Sequence, residues 1–182
     1  MTASPADALR VRRIRADEWR RVRELRLEST SDPDAAMAFL ETPQQVEARP
    51  EQFWRDRAEL GAGSETAAQF VAEVDDVWVG SLSVIVRATG RKDHLGRFVD
   101  DRRAAVVGVY VNPAYRGSGA VDLLLAAAAE WAASLGLRRL SLDVHRDNHR
   151  AQGAYRRAGF VPTGETFTSV IGPELVMARP LP

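Results

Sequence analysis

The segment from Ala104 to Gly136 constrains the fold more than any other part of the chain. An apolar run, Ala104 to Val111, stops at Asn112-Pro113, passes through Ala114-Tyr115-Arg116-Gly117-Ser118-Gly119, and opens an alanine- and leucine-rich stretch ending at Gly136. Branched residues suit a strand, proline and paired glycines a loop, and alanine with leucine a helix. A strand, a glycine-bearing loop and a helix in that order leave several backbone N–H groups unpaired where the helix begins. Those donors, with the positive end of the helix dipole, attract anions. Gly117 and Gly119 permit unusual backbone angles and close approach, and Arg116 is placed to add a charged contact. An ordinary strand-to-helix turn would use the same glycines, so the segment alone leaves both readings open. It lacks G-x-G-x-x-G and the lysine of G-x-x-x-x-G-K-[ST], which removes the dinucleotide and P-loop readings.

The flanks supply further elements. Leu9 to Arg15 carries Leu9, Val11 and Ile14 for a short first strand. Asp17 is a candidate cap for a helix on which Trp19, Val22 and Leu25 recur at helical spacing, broken by Ser29 to Asp34. Thr42-Pro43 reads as a cap and first-turn proline, and beyond Pro50 a helical face continues through Phe53, Trp54, Ala58 and Leu60 to Gly61-Ala62-Gly63. Phe70 to Val74 and Val77 to Val86 read as a hairpin closed by Asp75-Asp76. Ala88 to Arg103 is charged, glycine-punctuated and too long for an ordinary connection, so it is either a functional flap or a mobile loop. Leu140 to Val144 alternates as a strand, and Asp147 or Asn148 caps a helix that ends at Gly159-Phe160, where another strand begins. Thr166 to Ile171 and Glu174 to Arg179, split by Gly172-Pro173, make a last pair. The four tryptophans, Trp19, Trp54, Trp78 and Trp131, are most simply packing residues.

Composition excludes several chemistries. A chain of 182 residues suits one domain spanning 1–182, able to bury roughly two-thirds of its unfolded surface without metal or disulfide staples. With no cysteine there is no disulfide, no thiolate metal site and no cysteinyl acyl-enzyme. Net charge is zero and Lys92 is the only lysine; arginines spread among acids give no nucleic-acid footprint. No run approaches the roughly 20 apolar residues of a membrane helix. Met1 to Asp7 is short and polar and does not resemble a secretory signal, so no membrane partner and a cytoplasmic location are expected. His145 and His149 are four apart, but Asp147-Asn148 between them reads as a helix start and no H-E-x-x-H occurs; no metal site is expected.

A second motif makes the chemistry specific. Twelve residues past Gly136 begins Asn148-His149-Arg150-Ala151-Gln152-Gly153-Ala154-Tyr155-Arg156-Arg157-Ala158-Gly159-Phe160. The first segment resembles the acetyl-CoA signature of the GNAT superfamily of N-acetyltransferases: Arg or Gln, two residues, Gly, one residue, then Gly or Ala, after a strand ending in Val-x-Pro. The second is similar to its partner pattern, N-x-x-A-x-x-x-Y-x-x-x-G-F. The likeness covers about Phe70 to Phe160, and the flanks agree in element order. It departs at Val121, where the family carries Gly or Ala, and at Asp122, which sets negative charge beside the expected pyrophosphate.

The resemblance implies an α/β (α+β) fold: a mixed, mostly antiparallel sheet of six to seven strands with about four helices, and a cofactor-binding core at about 104–160. Its fourth and fifth strands splay, and the pantetheine arm of acetyl-CoA, the cosubstrate, lies between them by strand-like addition. Val109 and Val111 match the backbone positions that hold this arm, and Gly117, Ser118, Gly119, Ala120 and Val121, with Arg116, match the pyrophosphate turn. Asn148 matches a residue contacting the pantetheine side, and it serves equally as a helix cap. Tyr155 matches the proton donor to the departing sulfur. A backbone N–H near Val109 would polarise the carbonyl.

The implied activity is transfer of an acetyl group to a primary amine of a small molecule or peptide by direct attack on the thioester; a homodimer is compatible. A second reading is a GNAT-like ligand-binding or interaction module without activity. An amine with pKa about 10.4 needs a proton acceptor before it attacks. Relatives place a glutamate on the fourth strand, where this chain reads Ala104-Ala105-Val106-Val107-Gly108. Glu73, Asp143, His145 or a water chain remain candidates for the base.

Overall fold

A computed structural model describes residues 9–93 and 95–182; Met1 to Asp7, read above as unlike a secretory signal, lies outside them. Seven strands, β1 (Arg10–Arg13), β2 (Ala67–Val74), β3 (Val77–Arg87), β4 (Arg103–Val111), β5 (Arg139–His145), β6 (Val161–Ser169) and β7 (Gly172–Pro180), form one sheet. Their order is β1-β2-β3-β4-β5-β7-β6, and the β4–β5 pair is parallel while the other pairs are antiparallel. Five α-helices flank it: α1 (Trp19–Thr30), α2 (Pro43–Glu47), α3 (Glu51–Gly63), α4 (Ala120–Ser134) and α5 (His149–Arg157). Among the described residues no helix is long and apolar enough to cross a membrane.

Alternation along the strands divides the interior into two layers. Phe70, Ala72, Leu82, Val84, Leu140 and Leu142 face α4, whose buried stripe runs through Leu124, Leu125, Ala128 and Ala132. The small alanines let the helix axis approach the strands. On the opposite face, Val71, Trp78 and Tyr110 meet Trp19, Val22, Leu25, Val46 and Trp54 from α1 to α3. Trp131 is partly buried against the α4 layer, with Arg13 stacked 5.6 Å above its ring. Burying aromatic and leucine side chains contributes about 1.5–3 kcal/mol each.

Several local expectations hold for the stated reasons. Thr42 accepts from the Gln45 N–H at 3.3 Å while Gln45 returns a bond to the Thr42 N–H at 2.8 Å, a capping box before Pro43. Asp75 and Asp76 both take positive φ, 49° and 64°, as a two-residue hairpin turn requires. Other expectations need correction. Asp17 sits inside a 3₁₀ turn, Ala16–Glu18, and α1 starts at Trp19. The buried Glu18 carboxylate is gripped by Arg12 at 2.7 and 2.9 Å, and that chelation fixes the turn.

The last two strands divide at Val170-Ile171, and Gly172-Pro173 begins β7. Pro173 lies beyond the end of β5, where its missing N–H is not needed and its carbonyl accepts from Arg146 at 2.8 Å. The stretch 88–103 is neither featureless nor loose in outline. Lys92 bridges Phe98, the Asp93 and Gly90 N–H groups donate to Arg97 and Val99 at 2.9 Å each, and Asp93 pairs with Arg87 and Arg97. Its described residues form a small hairpin-like flap, and Arg97 reaches Asp143 on β5 at 2.6 Å.

Candidate active site

The sheet opens where its two parallel strands part. Pairing between β4 and β5 covers only Ala104 with Leu140, Ala105 with Ser141, and Val106 with Leu142. Beyond Val106 the strands diverge, and the cause lies on the other edge of β4. Between Ser83/Val107 and Ser81/Tyr110 the register advances three residues on β4 for two on β3, with Gly108 at φ 63°. This bulge bends and twists β4 away from β5. It also reverses side-chain parity: Ala104 and Val106 face α4, and so do Val109 and Val111, while Tyr110 turns to the α1 side. There the Tyr110 hydroxyl donates to Glu28 at 2.9 Å.

On the α4 side the split widens into a groove of about 700 Å³. Val109, Val111, Arg116, Gly117, Ser118, Gly119, Ala120 and Val121 line it together with Tyr155; Asn148 does not. Gly117 and Gly119 hold φ of 82° and 89°, which places the preceding loop so that helix α4 starts at Ala120 with its first amides facing open space. Among the described residues, the N–H groups of Gly117, Gly119, Ala120, Val121 and Asp122 have no backbone acceptor, whereas Ser118 N–H is bonded to the Tyr115 carbonyl at 3.2 Å. The Ser118 hydroxyl is buried and unpartnered. Free amides plus an orphaned hydroxyl at a helix start fit a pyrophosphate.

Arg116 lines the groove as expected, with acidic partners already beside it. Its guanidinium is bound to Asp32 at 2.6 Å and faces Asp34 at 3.5 Å, and its Nε donates to the Val111 carbonyl, so it braces the loop with its charge already matched. The groove's unmatched cation is instead Arg157, at the end of α5, which has no acidic partner among the described residues.

A throat of about 50 Å³ passes through the split, lined by Val109, Gly108, Tyr155, Asn148, His145 and Glu174. Asn148 is buried and its Oδ1 caps α5 by accepting from Ala151 at 3.1 Å. Tyr155 borders both groove and throat, its ring 6.2 Å from Phe160; burial pushes its phenol pKa up to about 12, with Arg150 opposing. On the far face a cavity of about 340 Å³ adjoins the throat, sharing Asp143 and Glu174 with it, and its lining also includes Arg26, Glu41, Arg57 and Leu95.

The three candidate bases separate clearly. Glu73 lies on β2, two strands from the split, with its carboxylate bound by Arg12 at 3.1 Å. Asp143 borders throat and cavity but is held by Arg97. His145 is buried in the throat with Nδ1 accepting the Asp147 N–H at 3.1 Å, a bond that leaves its proton on Nε2. A fourth group escaped the sequence reading. Glu174, opposite His145 in the β5–β7 register, is 6% exposed, and its Oε1 is buried with no partner. Burial pushes its carboxyl pKa above the ordinary value, Ser169 opposes by hydrogen bonding, and the Asp143 charge raises it further. The one sequence signal was a carboxylate at the inward position of a strand otherwise buried at Val176, Met177 and Ala178.

A groove suited to a phosphate-bearing carrier, with a throat at the split bordering both it and a separate charged cavity, is the anatomy of a group-transfer enzyme. Residues 19–160 match the acetyltransferase (GNAT) family, and the chain belongs to it; it is an acetyl-CoA-dependent acyltransferase. A candidate [ribosomal protein bS18]-alanine N-acetyltransferase of Bacillus subtilis is 38% identical over 61 residues, 34% of this chain and 40% of that protein. The match thus spans less than half of that relative's length. Aminoglycoside N(6')-acetyltransferase type 1 of Salmonella typhimurium is 27% identical over 113 residues, 59% of this chain and 75% of the other. The crystal structure of a GNAT-family acetyltransferase from Streptococcus pneumoniae superposes with a TM-score of 0.76 at 18% identity, covering 96% of this chain and 99% of that one.

Proposed function

We propose that the chain transfers the acetyl group of acetyl-CoA to a primary amine of a small molecule or peptide, by direct attack of the amine on the thioester. The passage through the split carries this reading: Tyr155 and Val109 border both groove and throat, and Glu174 and Asp143 border both throat and cavity. The named N-acetyltransferases among its relatives support an amine acceptor. When bound, acetyl-CoA supplies an activated acyl carbon and a thiol leaving group of pKa about 8.5.

The chain's own groups then divide the work. Amides of Gly117, Gly119, Ala120 and Val121, with the Ser118 hydroxyl, hold the pyrophosphate. Backbone at Val109 and Val111 pairs with the pantetheine arm, Asn148 fixes the turn beside it, and a backbone N–H near Val109 polarises the carbonyl. Glu174 accepts the proton of the amine; its raised pKa narrows the gap to the amine's own. Tyr155 keeps its phenol proton throughout the neutral range and gives it to the sulfur.

Calorimetry with acetyl-CoA tests the groove. A β-branched side chain at φ 89° is strained, so Gly119→Val displaces the amides and lowers affinity at least about tenfold. Unchanged affinity in a folded Gly119→Val variant would overturn the placement.

A further inference from the structure

The acceptor cavity holds more positive charge on its helical side than its acids match. Arg26 from α1 and Arg57 from α3 both line it. Glu41 is the carboxylate beside them, and both of its oxygens are engaged, one by Arg26 at 3.0 Å and the other by Arg49 at 2.9 Å. Arg57 is partly buried and has no hydrogen bond or ion pair among the described residues; its Nε is closed to solvent without an acceptor. Burial, and next the charge of Arg26, push the Arg57 pKa down to about 10, with Glu41 opposing. A partly desolvated guanidinium whose neighbouring carboxylate is already shared by two other arginines is costly to hold, and an arriving anion lowers that cost.

Strands β5 and β7 give the same cavity the opposite sign, through Asp143 and Glu174. Asp143 is occupied by Arg97, whereas Glu174 keeps a buried, unpartnered oxygen beside the throat. Apolar Phe39, Leu40, Ile85 and Ile171 are among the remaining lining residues. The cavity therefore offers one unanswered cation and one unanswered carboxylate oxygen, on different elements, within a volume that suits a small ligand. The pyrophosphate turn shares no lining residue with this cavity, so the cosubstrate's phosphates do not answer Arg57.

We infer that the acceptor is an amine that also bears a carboxylate, an amino-acid-like zwitterion whose carboxylate is held by Arg57 and whose amine is presented to Glu174 at the throat. This rests on the acetyl-transfer reading and narrows it. The planar guanidinium fork matches a carboxylate two-point contact. In the reaction the ammonium first gives one proton to Glu174 and the neutral nitrogen attacks. As the adduct collapses the new N–C bond replaces the C–S bond, the nitrogen loses its second proton to water, and the sulfur receives one from Tyr155, so that one proton is released to solvent overall once Glu174 and Tyr155 re-equilibrate with water. A polycationic acceptor would place further positive charge beside Arg26 and Arg57 and is selected against.

The test is CoA release from acetyl-CoA with matched triplets: α-, β- and ω-amino acids, their carboxamides and their decarboxylated amines, with spermidine and kanamycin as polycations. The acids should exceed their amides at least about tenfold in kcat/KM. In Arg57→Gln that ratio should fall to near one, and in Arg57→Lys to an intermediate value, with acetyl-CoA affinity by calorimetry and Tm not lowered. Amides or polycations turned over as well as acids, a ratio that survives in Arg57→Gln, or a marked fall in Tm showing a structural arginine, would each overturn the inference. So would acetyl-CoA binding without turnover of any acid in the panel. Absence of acetyl-CoA binding would instead overturn the acetyl-transfer reading.

Discussion

The groove and the cavity on the two faces of the split recognise by different means. The groove presents main-chain amides of Gly117 and of Gly119 to Asp122, one continuous segment that runs from the loop into the first turn of α4, with one orphaned hydroxyl. The cavity presents side-chain charges from five separate parts of the chain: Arg26 on α1, Glu41 before α2, Arg57 on α3, Asp143 on β5 and Glu174 on β7. Backbone donors survive changes of side chain, so one groove serves any acceptor, whereas each charge in the cavity can change alone and redirect the enzyme. Affinity for the cosubstrate and choice and activation of the acceptor should therefore vary independently.

The sharpest attempt to break that independence is Glu174→Gln. We expect kcat to fall about 10²–10³-fold with acetyl-CoA affinity unchanged. Wild-type kcat should fall off on its acidic side along a limb that lies above the ordinary carboxylate range, since the Glu174 pKa is raised, and the variant should lack that limb. The sign for stability is opposite to that of an ion-paired acid. A carboxyl with a raised folded-state pKa is stabilising while protonated and loses that contribution as pH rises through the folded value, so Tm at neutral pH should hold or rise in the glutamine variant. A fall in acetyl-CoA affinity would join the two regions into one site.

Tyr155→Phe should lower kcat by less, about 10²-fold, because the thiol is already a fair leaving group. Ring packing against Phe160 stays, so thermal stability and acetyl-CoA affinity should change little. Wild-type turnover with chemistry shown to be rate-limiting would remove the phenol from the reaction. The smallest effect belongs to the groove. Asp122 is an exposed acid in the first turn of α4, and Asp122→Asn should tighten acetyl-CoA about two- to fivefold, with the gain shrinking as salt is raised. A shift of the kcat pH profile in this variant would contradict the separation.

The same contrast explains what was legible in the sequence. The element order, the hairpin at Asp75-Asp76 and the loop at Gly117 to Val121 are local, written in residues that adjoin one another. Tyr155 was legible because it shares one helix with Asn148, and a motif fixes their spacing. The cavity was not: Arg57 and Glu174 are 117 positions apart and meet only through sheet register and helix packing. Arg116 was legible as a groove residue, but its partners Asp32 and Asp34, on a distant turn, were not. The sequence leaves open whether 88–103 is a flap or a mobile loop because its contacts are Asp93 and Arg97 ion pairs rather than a periodic pattern.

The extra residue at Gly108 acts on the sheet as a frameshift acts on a message. Everything after it keeps its letters and changes its address. Without the insertion Val109 and Val111 would turn to the α1 side, and Tyr110 would leave Glu28 and turn toward α4. The crevice in which acetyl transfer is proposed thus depends on a count of residues in β4 as much as on any side chain in it. A scan that replaces one residue at a time leaves that count untouched; a single deletion between Val107 and Val109 would expose it.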